Sequence, residues 1–340
     1  MTSETPQIEK PVWISEAEVV SMMDIAGAID ALQQGLLAEA RNEAQNMIKT
    51  HVEWDGGSTL HAIGAVFPVA GFSGAKVWSH TKNGATPMLL LFDSNDGSLK
   101  AIIEAFALGQ MRTAAACGVA TRWLADPIAE EFAIIGTGKQ AISQVAAVLA
   151  VRPIRRIRVF SPDEGRRTRF VERLRSEFEI ESVAASSVRE AVEGASIITL
   201  ATRAKDPILS ANMVQYGAHI NSVGAIVPSR AEVARDILAR TTTVVTDSIP
   251  QARKLSRELI DFFGSEAAGW EAVQPLASIV SKRFHRGEAE DLTLFKSLGV
   301  GISDLSLGIQ LYRDAVSNQR GYKFSPPQRV QPRLRTSQAI

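Results

Sequence analysis

Phe132-Ala133-Ile134-Ile135-Gly136-Thr137-Gly138-Lys139-Gln140-Ala141 is the stretch that decides the fold. Its four leading apolar residues read as a short buried strand, and the alanine-rich run from Ala141 reads as a helix. Between them stands Gly-x-Gly-x-x-Ala, the spacing of a dinucleotide-binding turn. Gly136 permits a tight turn, Gly138 lets a pyrophosphate approach the backbone, and Ala141 keeps the helix close to the strand. Thr137, Lys139 and Gln140 complete the loop, and the free N–H groups at the helix start carry partial positive charge for the phosphates. A glycine-rich turn can also bind nothing, so the flanking pattern has to support it.

That pattern is present. Ile157 to Phe160 reads as a second strand, Arg167 to Phe178 as a helix, and Ser196 to Leu200 and Ile220 to Gly224 as later strands. Thr243 to Thr246 closes the series. Strands alternating with helices predict a parallel sheet covered on both faces, an α/β fold. The end of the second strand reports the cofactor: an acid there suits the ribose of NAD, a small polar residue with arginine nearby suits NADP. Phe160-Ser161-Pro162 has no acid, and Arg166 and Arg167 follow, which favours NADPH; Asp163 and Glu164 keep NADH open.

The N-terminal third differs. Ser15 with Glu18 has the spacing of a capping box, followed by Val19, Val20, Met23, Ile25 and Ile29 at helical spacing. Met88 to Phe92 and Leu99 to Ile103 flank an Asp96-Gly97 hairpin signal, and a helix is expected from about Ala107 to Leu124. This third is a mixed sheet with helices, without nucleotide-binding pattern.

Bulk properties narrow the function. A chain of 340 residues exceeds the size at which single cores stop growing, so two domains are expected. Lysine plus arginine and aspartate plus glutamate both number 37, which leaves no net field for nucleic acid or an anionic membrane. Cys117 is the single cysteine, so neither a disulfide framework nor a cysteine-rich metal site is available. No histidine pair has metal-ligand spacing; His219 reads as a core residue, and His51, His61 and His80 are candidates to line a pocket. The start lacks a basic, then apolar leader, and no apolar run suggests a membrane span, so a cytoplasmic protein is expected. The tail carrying Arg320, Lys323, Arg329, Arg333 and Arg335 reads as loosely docked.

Two cations stand out in the first third. Lys76 sits among small and apolar neighbours in Gly74-Ala75-Lys76-Val77-Trp78, where burial would depress its pKa and make it a proton donor. Arg112 precedes the run Thr113-Ala114-Ala115-Ala116, whose small side chains would let a ligand reach the guanidinium and its bidentate grip on a carboxylate. On the residues alone, an ordinary salt bridge or a snorkelling side chain is the commoner reason for either residue.

Taken together, Gly74-Ala75-Lys76, Arg112-Thr113-Ala114-Ala115, Gly136 to Ala141, Gly217 to Ala225 and Thr293 to Gly299 resemble the ornithine cyclodeaminase/mu-crystallin family, from about Ser15 to Ala315. That family comprises nicotinamide-dependent cyclodeaminases, an alanine dehydrogenase and reductases of cyclic ketimines and other imino acids. The resemblance implies a Rossmann dinucleotide-binding domain over 124–301, inserted into a smaller mixed α/β substrate-binding and dimerisation domain of 1–123 plus 302–340. It implies that Lys76 and Arg112 hold the substrate carboxylate, with Lys76 near the reacting nitrogen. Lys49 stands near a further family arginine, Val223 and Gly224 frame the nicotinamide, and members are commonly homodimers.

One departure points to the reaction. Cyclodeaminases and the alanine dehydrogenase carry an aspartate two residues after the glycine matching Gly224, where this chain has Ile226. Oxidising an amine needs a base, whereas reducing a ready-made imine needs a proton donor, a task open to Lys76. The expectation is an imine reductase acting on a pyrroline- or piperideine-2-carboxylate, or on an acyclic imino acid such as iminosuccinate. The alternatives are an ornithine cyclodeaminase or amino-acid dehydrogenase, and a non-enzymatic protein binding NADPH or a small ligand.

Overall fold

The computed structural model describes residues 10–334 apart from 265, 267 and 288. Residues 1–9, read above for a leader, and Arg335 lie outside the described residues. Two sheets organise the rest. The first holds β1 (Val12–Ile14), β2 (Gln45–Asn46), β3 (Thr50–Trp54), β4 (Ser58–Phe67), β5 (Phe72–Thr81), β6 (Gly84–Ala85), β7 (Met88–Asp93) and β8 (Leu99–Glu104). The second holds β9 (Glu131–Ile135), β10 (Arg156–Phe160), β11 (Glu181–Ala184), β12 (Ile197–Leu200), β13 (His219–Ser222), β14 (Thr241–Thr246), β15 (Val273–Pro275) and β16 (Leu292–Lys296). A final strand, β17 (Tyr322–Lys323), pairs antiparallel with β1 and joins the start of the basic tail to the first sheet.

The helices are α1 (Glu16–Met22), α2 (Ile25–Ala40), α3 (Phe106–Leu124), α4 (Ala141–Leu149), α5 (Glu164–Phe178) and α6 (Val188–Val192). They continue with α7 (Arg235–Arg240), α8 (Ile249–Leu255), α9 (Arg257–Phe263), α10 (Leu276–Ser281) and α11 (Gly301–Ser317). The second sheet is parallel throughout, in the order β11-β10-β9-β12-β13-β16-β14-β15. Its chain reverses direction of travel between β9 and β12, the switch point at which doubly wound sheets bind ligands beyond their carboxyl ends.

Two expectations change. The parallel series does not end at Thr246: β15 and β16 follow, and β16 inserts between β13 and β14 with all five residues buried. Its sequence ends on Lys296, a charge that masks a central strand, and parallel partners are remote in sequence. The periodic run from Val19 to Ile29 is two helices, because Asp24 leaves the first and caps the second, accepting from the Gly27 N–H at 2.7 Å. The Ser15–Glu18 capping box forms as expected.

The alanine run after Arg112 also has a different purpose from the one expected. Ala114 to Thr121 are all buried, and α3 passes between α2 and α11 on one side and α4, β13 and β16 on the other. Small side chains let backbone elements close around a helix buried on all faces. At Gly118, for instance, a Cβ would collide with Ile29. Arg152 donates to the Thr121, Arg122 and Ala125 carbonyls at 2.7–2.8 Å, and Arg286 donates to the Leu124 carbonyl, satisfying the helix end. A helix so fixed presents Arg112 at a defined place between the two sheets.

Candidate active site

Lys76 lies on β5, opposite Ile63 of β4 and Leu89 of β7. Opposed residues share a sheet face, and this face packs against α11. The first turn of α11 brings Asp304, fully buried, to Lys76, whose ammonium donates to Asp304 Oδ1. Arg112 of α3 places its Nε 3.4 Å from the same oxygen. Two cations thus converge on one carboxylate, yet Arg112 Nε and Asp304 Oδ2 are buried with no hydrogen-bond partner. Burial lowers the Lys76 pKa, Asp304 raises it, and Arg112 and Lys49 lower it again, leaving it at about 8. Lys76 can therefore both hold and release a proton near neutrality.

The cluster abuts the carboxyl ends of the parallel strands. Asp247 follows β14 and accepts from Ser297 Oγ at 3.0 Å, Leu298 N at 2.9 Å and Gly299 N at 2.8 Å, pinning the segment after β16. Gly299 has φ +82°, and the Arg112 guanidinium occupies the space a Cβ would take there. A side chain at 299 would meet both backbone strain and the arginine. Burial raises the Asp247 pKa against the pull of its donors and Arg112. Glu39 on α2 is pushed up to about 7 by burial and by Asp247, while the Asn46 amide donates to it at 3.0 Å. Lys49, between β2 and β3, is partly buried; burial and Arg112 lower its pKa, and Asp247 and Asp304 oppose them.

His51, His61 and Trp78 form a row across β3, β4 and β5, with His61 stacked 4.6 Å from Trp78 and 5.3 Å from His51. Lys76 Nζ lies 5.2 Å from the Trp78 ring centroid, which sets this aromatic row beside the cation cluster. Burial, Lys49 and the other two histidines lower the His61 pKa to about 4. His80 is on β5 opposite Thr59 and exposed. His219 is a core residue, bonded to Thr293 Oγ1 and Asn221 Oδ1. Cys117 is buried, which pushes its thiol pKa up. Among the described residues no group of three or more His, Cys, Asp or Glu could hold a metal ion.

The residues read for a dinucleotide fit one. Gly136 turns at φ +106°, and its N–H donates to the Phe160 carbonyl at 2.8 Å, joining the turn to the end of β10. A Cβ there would stand 2.5 Å from the Ala201 carbonyl oxygen. Gly138 faces open space, as an approaching phosphate requires, while Ala141 is buried against Phe132 and Ile134. No side chain caps α4, although the Ala141 N–H donates to the Gly138 carbonyl at 3.0 Å, and Gln140 Oε1 is buried without a partner. Thr137 and Lys139 stand in the same loop, Lys139 exposed. Ser161 follows directly on β10. Asp163, the nearest acid, is spent on the N-cap of α5, accepting from Arg166 N at 2.9 Å, with the Arg166 Nε 3.4 Å from its other oxygen. Val223 N donates to the Leu200 carbonyl, and Gly224 N to Glu232 Oε2 at 2.8 Å.

Sequence reading missed Asp304, Asp247 and Glu232, and quoted Gly299 only as the end of a matched stretch, with no role. Glu232 accepts from Thr202 N and Oγ1, Ser222 Oγ, Gly224 N and Ala225 N, and so holds the loop beyond β13. The Ser303-Asp304 and Glu232 contexts look like ordinary surface sequence; the signal lay in the matched stretch ending at Gly299. A cavity of about 640 Å³ between α2 and α11 is elsewhere and holds none of these residues. Its charges are already engaged, Asp24 by the Gly27 N–H, Asp30 by Arg122, Arg313 by the Phe72 ring and Asp314 by the Gln310 amide.

One family profile, Ornithine cyclodeaminase/mu-crystallin family, matches residues 12–319. The chain belongs to that family. It is 31% identical over 251 residues to the Delta(1)-pyrroline-2-carboxylate reductase of Bacillus cereus, covering 73% of this chain and 76% of that one. It is 32% identical over 237 residues to the ketimine reductase mu-crystallin of Mus musculus, covering 69% and 70%. The Thermococcus litoralis Delta(1)-pyrroline-2-carboxylate reductase, solved with NADH and L-proline, superposes with a TM-score of 0.84 at 26% identity, over 92% of this chain and 100% of that one. No helix among the described residues is long and apolar enough to cross a membrane.

Proposed function

We propose that this protein reduces a small imino acid, foremost a cyclic ketimine carboxylate such as pyrroline-2-carboxylate, to the amino acid with a reduced nicotinamide dinucleotide. The observation that carries this is the Lys76–Arg112–Asp304 cluster, two cations on one buried carboxylate with Arg112 Nε lacking a hydrogen bond, at the carboxyl edge of the parallel sheet. A carboxylate entering it neutralises that excess and accepts the free donors. Relatives named as pyrroline-2-carboxylate and ketimine reductases support the substrate class.

A bound reduced nicotinamide supplies the hydride to the imine carbon. Arg112 and Lys76 orient the carboxylate, with Lys49 as a further cation. As the C–H bond forms, a Lys76 N–H bond breaks and the proton goes to the imine nitrogen; water restores the ammonium. With Ile226 in place of an acid, no carboxylate at that position takes a proton from an amine, so reduction is the favoured direction.

NADPH is the preferred cofactor, since Ser161 leaves room for a 2′-phosphate, Arg166 and Arg167 are near, and Asp163 is engaged in capping. The working unit is a homodimer: the sheet face opposite Lys76 leaves Val52, Leu60 and Val66 exposed, an apolar surface that a second copy would cover. A diffusible nicotinamide cofactor and a free, buried Cys117 fit a cytoplasmic enzyme.

The test is the absorbance of NADPH and NADH with cyclic and acyclic imino acids, with ornithine plus NAD as control. Imine-dependent oxidation of the cofactor without turnover of ornithine is expected. Proline and ammonia from ornithine would replace this reading with a cyclodeaminase, and cofactor binding without turnover of any imine would replace it with a binding protein.

A further inference from the structure

We propose that Asp304 is the positioning residue for proton delivery: it holds Lys76 as an ammonium inside the site and itself binds no substrate. This rests on the reductase reading above and assigns a role within it to a residue on the remote α11. Asp304 is fully buried, yet it stands in the first turn of α11, where the helix N-terminus favours a negative charge. One of its oxygens takes both cations, the Lys76 ammonium and Arg112 Nε. Burial and the guanidinium beside it both push Lys76 toward the neutral amine, and Asp304 opposes them.

The groups facing Lys76 come from three directions. Asp304 of α11 favours its charge, while Arg112 of α3 and Lys49 of the β2–β3 segment oppose it. Asp247 and Glu39 stand farther out, beside Arg112 and Asn46, and the His51–His61–Trp78 row closes the side toward β3. Asp304 is thus the one anion among the described residues that touches the Lys76 ammonium. The reduction consumes a proton, so activity requires Lys76 charged and is lost as pH rises through its pKa, about 8. Removing the Asp304 charge lowers that pKa, so the alkaline limb of kcat/KM must move to lower pH.

Two measurements on Asp304→Asn decide this. The first follows the ε-carbon resonances of 13C-labelled lysine through pH 6 to 10, with the Lys76 signal assigned by its loss in Lys76→Arg; it needs no substrate. The second is the pH profile of kcat/KM and of kcat with the imino acid that the wild type reduces best. In Asp304→Asn the Lys76 titration and the alkaline limb are both expected to fall by about one pH unit or more, the size of effect of an opposite charge at contact. At pH 8.5 kcat should drop roughly tenfold while KM changes little. Asp304→Glu, which keeps the charge, should restore the limb, and it carries the test if the asparagine variant does not fold. An unmoved Lys76 titration, or equal losses at every pH, would overturn the assignment. If no imine is reduced by the wild type, the proposed function fails, and the lysine titration alone still decides the role of Asp304.

Discussion

Two buried charge clusters lie close together in this molecule and have opposite characters. Behind β13, Glu232 accepts five hydrogen bonds, and Lys296 donates to Ser222 Oγ at 3.1 Å and Glu258 Oε1 at 3.2 Å. Glu258 in turn accepts from Glu232 N and Ser256 Oγ. None of these side chains is left with a buried unpartnered atom. Across the sheet edge, Lys76 and Asp304 are as buried and Arg112 is partly so, yet Arg112 Nε and Asp304 Oδ2 are left without a hydrogen bond. A saturated network holds a loop in place; an unsaturated pair of cations at the sheet's carboxyl edge leaves donors that an entering carboxylate could accept.

The sharpest way to break this distinction is to remove Arg112. Arg112→Ala should cost about a thousand-fold in kcat/KM, or ~4 kcal/mol, while thermal stability moves little. Measured kinetics beside a melting curve will show whether that separation holds; a collapse of stability with retained turnover would make Arg112 scaffold. Glu258→Ala should do the reverse. It strands the Lys296 ammonium in the core and should lower unfolding free energy by roughly 3 kcal/mol in a denaturant titration, with smaller loss of kcat/KM in the folded fraction.

Gly299→Ala probes the join between the clusters, since residue 299 backs Arg112 and is pinned by Asp247. It should raise KM roughly tenfold through displacement of the guanidinium, with kcat less affected. Ser161→Asp lies outside both clusters and should have the smallest effect, moving preference about fivefold from NADPH toward NADH with stability unchanged. An unaltered cofactor ratio would show that Ser161 does not face the adenosine ribose.

The sequence disclosed one half of this picture well. Gly136, Gly138 and Ala141 were legible because local geometry demands them at fixed spacing, and Lys76 and Arg112 because a charge in an apolar setting is conspicuous. The other half depends on long-range contacts. Asp304 lies 228 positions from Lys76 in sequence and sits in an unremarkable helical turn. Lys296 hides a central strand because a lysine ordinarily ends one, and Asp24 splits an otherwise continuous helical pattern by competing for backbone N–H groups. The alanines after Arg112 were read as clearance for a ligand; they are clearance for neighbouring helices.

On the proposed function, the Lys76–Arg112–Asp304 cluster takes the substrate's carboxylate. The most direct measurement compares kcat/KM for pyrroline-2-carboxylate with that for the same ring carrying a methyl group in place of the carboxylate, in wild type and in Arg112→Ala. The wild type is expected to prefer the carboxylate by about a thousand-fold, and the variant to lose nearly all of this preference. A preference that survives the loss of Arg112, or none in the wild type, would contradict it.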